Sequence, residues 1–197
     1  PCTPDELAAV RAWVAGGGSL LLIADHMPFP GAASDLAAAF GFELNNGFAF
    51  DPTSDDGGTY VFRRTDKTLA DHPITNGRTP AERVDSIVSF TGEAFQADSA
   101  AGLMTFGAGV VSLMPDIAWE FTDSTRRVEV SGWLQGAVRT FGTGRVAVFG
   151  EAAMFSAQLA GPNRVPAGMN NPRAPQNPQF LDRKSTRLNS SHGKFSR

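Results

Sequence analysis

The tightest constraint in this sequence is the junction at Gly16-Gly17-Gly18, where a helical pattern stops and an unbroken apolar run begins. Upstream, Thr3-Pro4-Asp5-Glu6 combines a hydroxyl cap, a proline in the first turn and acids facing the positive end of the helix dipole. Leu7, Val10 and Val14 follow at helical spacing, so this helix packs one apolar face. Downstream, Ser19 to Ala24 (SLLLIA) reads as a strand buried on both faces. Helix, glycine turn and buried strand together are the alternation of an α/β protein with a mainly parallel sheet.

Further along, a short helix is expected from about Ala33 to Phe40, then a long polar loop over residues 42–58 with Phe42, Phe48 and Phe50 tucked in. Tyr60 to Arg63 and Arg83 to Phe90 read as strands, and Leu103 to Met114 as a glycine-broken, strand-like stretch. Leu134 to Phe141 and Arg145 to Phe149 form a hairpin around Gly142-Thr143-Gly144. Ala152 to Leu159 is expected to be helical, residues 161–178 a loop, and Asn177-Pro178 the start of a last helix.

Residues 182–197, DRKSTRLNSSHGKFSR, carry no apolar period, and from Asp182 to His192 they can be spelled by a translated sequencing-library adapter. The expectation is a single domain over residues 1–181 followed by a disordered, non-native tail, the native chain being cut at both ends. Two of the three lysines fall in that tail, leaving Lys67 and making a lysine-based mechanism improbable. With a net charge of −3 the chain lacks the basic surplus of a nucleic-acid binder. The apolar run Leu20 to Ala24 is far too short to span a bilayer. Cys2, the single cysteine, excludes an internal disulfide and a cysteine-rich zinc site.

The segment WVAGGGSLLLIADH, the turn DHPITNG and the hairpin RTFGTGRVAVFGE occur in that order. Together they resemble class I glutamine-amidotransferase-like domains, particularly the trehalose-utilisation type and related uncharacterised bacterial families. The resemblance covers roughly residues 4–160 and implies a flavodoxin-like, three-layer α/β sandwich whose first strand or strands lie upstream of Pro1. It also shows a departure, because Cys2 precedes a helix and does not sit on the strand-to-helix elbow of an amidotransferase nucleophile. Glutamine hydrolysis by that route is therefore not expected, and a shared fold does not supply the chemistry.

Open α/β sheets place their sites at the carboxyl ends of strands. Asp25 and His26 follow SLLLIA, and Glu151 follows RVAVFG, so these three are the candidate catalytic residues. His26 would be a general base, Asp25 its orienting partner and Glu151 the acid. The same trio could instead bind a divalent metal through two oxygens and one nitrogen. Each also has a structural reading: Asp25 caps the next turn, His26 bonds a loop, and Glu151 stands at a helix start. His72 in DHPIT reads as part of a turn, since proline holds its predecessor extended.

Arg63-Arg64 and Arg126-Arg127 could clamp an anion, or simply be solvated. The amide-rich stretch Asn170-Asn171 to Gln176-Asn177, with Gln158 upstream, would suit hydroxyl-rich ligands such as sugars. GGGS lacks the lysine of a P-loop, Ser156 lacks a nucleophile elbow, and DPTSDDGG places Phe62 where a calcium loop needs its last acid. Three function classes follow: a hydrolytic or lyase-type enzyme, a binding module for a small polar or carbohydrate ligand, and a structural or interaction domain.

Overall fold

A computed structural model describes residues 1–54 and 58–182. Part of the calcium-like loop and nearly all of the adapter-like tail lie outside the described residues.

The helix α1 (Pro4–Ala15) begins as its sequence dictates: the Thr3 side chain accepts from the Glu6 amide, and the Glu6 carboxylate accepts from the Thr3 amide. Strand β1 (Ser19–Ile23) follows, then helix α2 (Phe29–Ala38). Short strands β2 (Phe42–Leu44) and β3 (Phe48–Phe50) occupy what the polar composition suggests is loop. Strand β4 (Thr59–Arg63), the single turn of helix α3 (Pro73–Asn76) and strand β5 (Ser86–Phe90) come next. They lead into β6 (Phe95–Ala97), β7 (Ala101–Thr105), β8 (Val111–Met114) and β9 (Arg126–Glu129). The expected hairpin is present as β10 (Leu134–Phe141) and β11 (Gly144–Phe149). In place of the helix expected over Ala152 to Leu159 stand a 3-10 turn, Ala153–Phe155, and strand β12 (Ala157–Ala160), which pairs with β13 (Val165–Gly168). Residues 177–182 are helical.

The central sheet has six strands in the order β1-β11-β10-β6-β2, with β7 also pairing β10. Smaller sheets are β3-β8-β9, β4-β5 and β12-β13. This overturns the flavodoxin-like α/β sandwich. Among the described residues β1 and β11 are the parallel pair, and every other strand pair is antiparallel. A parallel sheet needs a long crossover between neighbours, usually a helix. From β2 to β13 the described residues supply one four-residue helix and two 3-10 turns, so the strands pair antiparallel.

One face of the central sheet packs on α1 and α2 through Val14, Ala37, Phe40, Phe42, Phe95, Val146 and Val148. The other packs on the smaller sheets through Phe62, Ile87, Leu103, Met104, Phe106, Ala147 and Phe149. The alternation Val146, Ala147, Val148, Phe149 thus feeds both cores from one strand. β1 departs from its expectation. It is an edge strand whose Leu20 and Leu22 pack on the helical side, while Leu21 and Ile23 remain 36% and 37% exposed.

Candidate functional site

Because β1 and β11 run parallel in register, with Ser19 beside Arg145 and Ile23 beside Phe149, their carboxyl ends finish at the same edge. Asp25-His26 and Glu151 therefore emerge together, as the sequence suggests. Main-chain bonds tie four segments here: Ala24 N donates to Phe149 O, Met27 N to Gly47 O, Ala49 N to Gly92 O, and Glu93 N to Gly150 O. The last of these brings in a carboxylate that sequence reasoning missed. Glu93 follows β5 just as Glu151 follows β11, and an acid in the otherwise apolar run SIVSFTGEAF was the signal available.

Close approach of the two segments requires their glycines. A Cβ on Gly92 would stand 2.7 Å from Glu151 Cβ, and one on Gly150 would stand 2.6 Å from Glu93 O. Glu93 and Glu151 are both fully buried. Burial pushes each carboxyl well above the ordinary carboxylate range, and the nearby Asp25 charge pushes both further. Glu151 Oε2 accepts from Met154 N at 2.7 Å and Glu93 Oε2 from Asn46 N at 2.9 Å. The Oε1 atom of each, like Asn45 Nδ2, Asn46 Oδ1 and Gln135 Oε1, is buried with no hydrogen-bond partner. Asp25 is half-buried, its pKa raised by burial and partly drawn back by the His26 amide that donates to Oδ1 at 2.8 Å.

His26 has its Nδ1 2.7 Å from Met27 O and lies in an aromatic stack. Its ring is parallel to Phe48 at 4.8 Å and edge-on to Trp119 at 4.6 Å and to Phe29 at 5.8 Å. Phe121 meets Phe48 at 5.1 Å and Phe50 at 5.8 Å. Trp119, Phe29 and Phe121 remain 55%, 57% and 39% exposed, so an apolar shelf faces solvent beside the acids. Trp119, Asn46 and Thr91 have φ of 70°, 53° and 71°, left-handed values that non-glycine residues adopt at a cost of about 1–3 kcal/mol.

The structural roles expected of Asp25 and Glu151 are met only in part: Asp25 accepts from the amide of its neighbour His26, and Glu151, with no helix following it, accepts from Met154 N in the 3-10 turn. Among the described residues, no group of three or more His, Cys, Asp or Glu side chains is arranged to hold a metal ion. The divalent-metal expectation therefore finds no donor set here.

Other candidates resolve differently. Arg64 is held by Val84 O and by Asp71 and Asp85, while Arg126 and Arg127 are exposed and, as neighbours on β9, project to opposite faces. The amide-rich stretch is a fastening: Gln176 accepts from the Asp85 and Ser86 amides, and Asn177 pairs with both N and O of Val88. His72 caps α3 by accepting from Ile74 N at 3.1 Å, as its turn reading requires. Free Cys2 lies far along the chain from any of these elements.

No family model and no curated protein matches this chain. In shape it is similar to the IFT52 N-terminal domain, with a TM-score of 0.61 at 13% identity over 95% of this chain and 72% of that one. A cytoplasmic protein from Salmonella typhimurium gives 0.51 at 12% identity, over 94% of this chain and 61% of its own length. A β-galactosidase from Rahnella sp. gives 0.48 at 12% identity, and this chain spans 20% of that enzyme's length. At such identities the likeness is one of fold. Neither structure above 0.5 is named as an amidotransferase or a hydrolase, so those two expectations gain no support.

Proposed function

We propose that this chain binds a small hydroxyl-rich molecule of the carbohydrate class at the shared edge of β1 and β11. The observation that carries the reading is the His26–Phe48–Trp119 stack, with Trp119 more than half exposed next to a polar edge. A flat aromatic face accepts the C–H face of a sugar ring, while neighbouring carboxylates and amides accept and donate to its hydroxyls. Asp25, half-buried and beside the stack, is the carboxylate within reach of such a ligand. Glu93 and Glu151 are buried in the adjoining segments, where desolvation raises their pKa values well above the ordinary carboxylate range. The reading calls for no bond-breaking step.

The test is a titration of neutral mono- and disaccharides followed by tryptophan fluorescence and calorimetry. Saturable binding is expected, weakened at least tenfold by Trp119→Ala and by Asp25→Asn while circular dichroism stays native. If no sugar in the panel binds, or if both variants bind as the parent does, the reading is wrong.

A further inference from the structure

The central sheet ends in two edge strands of opposite character, β1 and β2. β2 is three residues long and carries an exposed glutamate, Glu43, between Phe42 and Leu44. Brevity and charge are the usual means by which an edge avoids pairing with another chain. β1 has neither. Its five residues, Ser19-Leu20-Leu21-Leu22-Ile23, include no charge and no proline, and its register with β11 runs without a bulge.

The main chain of β1 is half used. Arg145 N donates to Gly18 O and Ala24 N donates to Phe149 O, which turns the main-chain groups of the even-numbered residues toward β11. Those of Leu21 and Ile23 therefore point off the open edge, and among the described residues neither has a main-chain partner. The side chains of the same two residues share one face of the sheet and are the exposed positions of the strand. An unpaired, uncharged, apolar edge of this kind is a template for another extended strand.

We infer that the occupant of this edge is a second copy of this chain, joined antiparallel through β1 about a two-fold axis at Leu22. In that register Leu21 of each copy stands opposite Ile23 of the other, and each of these two pairs exchanges both of its N–H···O bonds. The side chains left exposed in one copy then pack on those of the second copy, as cross-strand neighbours on one face. Charge selects this arrangement. Antiparallel order keeps the Asp25 carboxylates of the two copies at opposite ends of the new strand pair, whereas parallel order would set them side by side. The strand that fits must be uncharged and apolar on both faces, and β1 itself meets that demand, as a self-complementary interface requires. Each copy offers β1 once, so assembly closes at the dimer. The inference is independent of the sugar reading, since it uses main-chain groups of β1 and no residue of the aromatic shelf.

Sedimentation velocity of the full chain tests this, together with amide hydrogen exchange. A strand pair buries less than a standard-size interface, so a reversible dimer is expected to form between about 10 μM and 1 mM. Over that range the Leu21 and Ile23 amides are expected to become at least tenfold more protected, while the Glu43 amide on the opposite edge keeps its rate. Leu21→Lys and Ile23→Lys are each expected to weaken the dimer at least tenfold. Leu21→Pro is expected to do the same, because it removes an N–H that β11 does not use and proline is tolerated on the open side of an edge strand. Ile117→Lys, at an exposed apolar position outside β1, is expected to leave the dimer intact. A monomer at every concentration, growth beyond the dimer, unchanged exchange at Leu21 and Ile23, or a dimer kept by folded edge variants would each overturn the proposal. The exchange measurement on the parent chain decides alone should the variants fold poorly.

Discussion

Two buried glutamates, Glu93 and Glu151, form no ion pair among the described residues and sit at the strand ends with raised pKa values. Their pKa values in the folded chain lie above those of the unfolded chain, so the folded state holds the extra protons. The stability this contributes is fully present below the unfolded carboxylate range and is lost as pH rises toward the folded values. The thermal midpoint is therefore expected to fall as pH rises above the ordinary carboxylate value of about 4.3 toward neutrality. Glu151→Gln, which keeps the oxygen that accepts from Met154, is expected to flatten that slope in calorimetric scans. A midpoint that rises with pH over this interval would contradict the assignment. Asp25, His26 and Glu151 were legible because each ends an apolar run. Glu93 and Trp119 were not, since only the folded chain brings residues 93 and 119 to the ends of strands that start at 19 and 144.

At the scale of elements, local signals were reliable wherever a few neighbouring residues decide the conformation. The α1 capping box is one such case, and Thr3→Ala is expected to cost about 1 kcal/mol in urea denaturation. The β10–β11 hairpin is another, and its Gly144 sits where a Cβ would overlap the carbonyl oxygens of Val14 and Gly18. Gly144→Ala should then destabilise by about 1–3 kcal/mol or more, measured the same way, because both obstacles are backbone. Ala152 to Leu159 failed as a helix for the complementary reason. Its alanines and leucine permit a helix, but the main chain from 157 onward pairs with β13, a partner that local sequence does not reveal. β1 likewise has the composition of a doubly buried strand and the position of an edge strand.

For the whole molecule, the fastening of residues 176–177 onto β5 spans some ninety positions of sequence and closes the fold. Asn177 is buried and satisfies both N and O of Val88 at 3.0 and 2.7 Å. Asn177→Ala would leave two buried main-chain groups unpaired, at about 1–3 kcal/mol each. Urea midpoints should drop accordingly, more than for Asn170→Ala, whose amide donates to Gln158 O on an exposed hairpin. The flavodoxin-like expectation failed at this scale alone. Its first helix, strand and hairpin are present, and β1 does lie parallel to β11. The crossover between them, however, is filled by antiparallel strands in place of repeated helices.

By itself the sequence determined where the chain caps, turns and extends, and that polar groups follow the apolar runs at Ala24 and Gly150, because these depend on nearest neighbours and apolar period. Only the tertiary structure decided which strands pair, which face of β1 meets solvent, and which side chains share an edge. Those outcomes turn on hydrogen bonds and burial between residues far apart in the chain, and no local pattern encodes them.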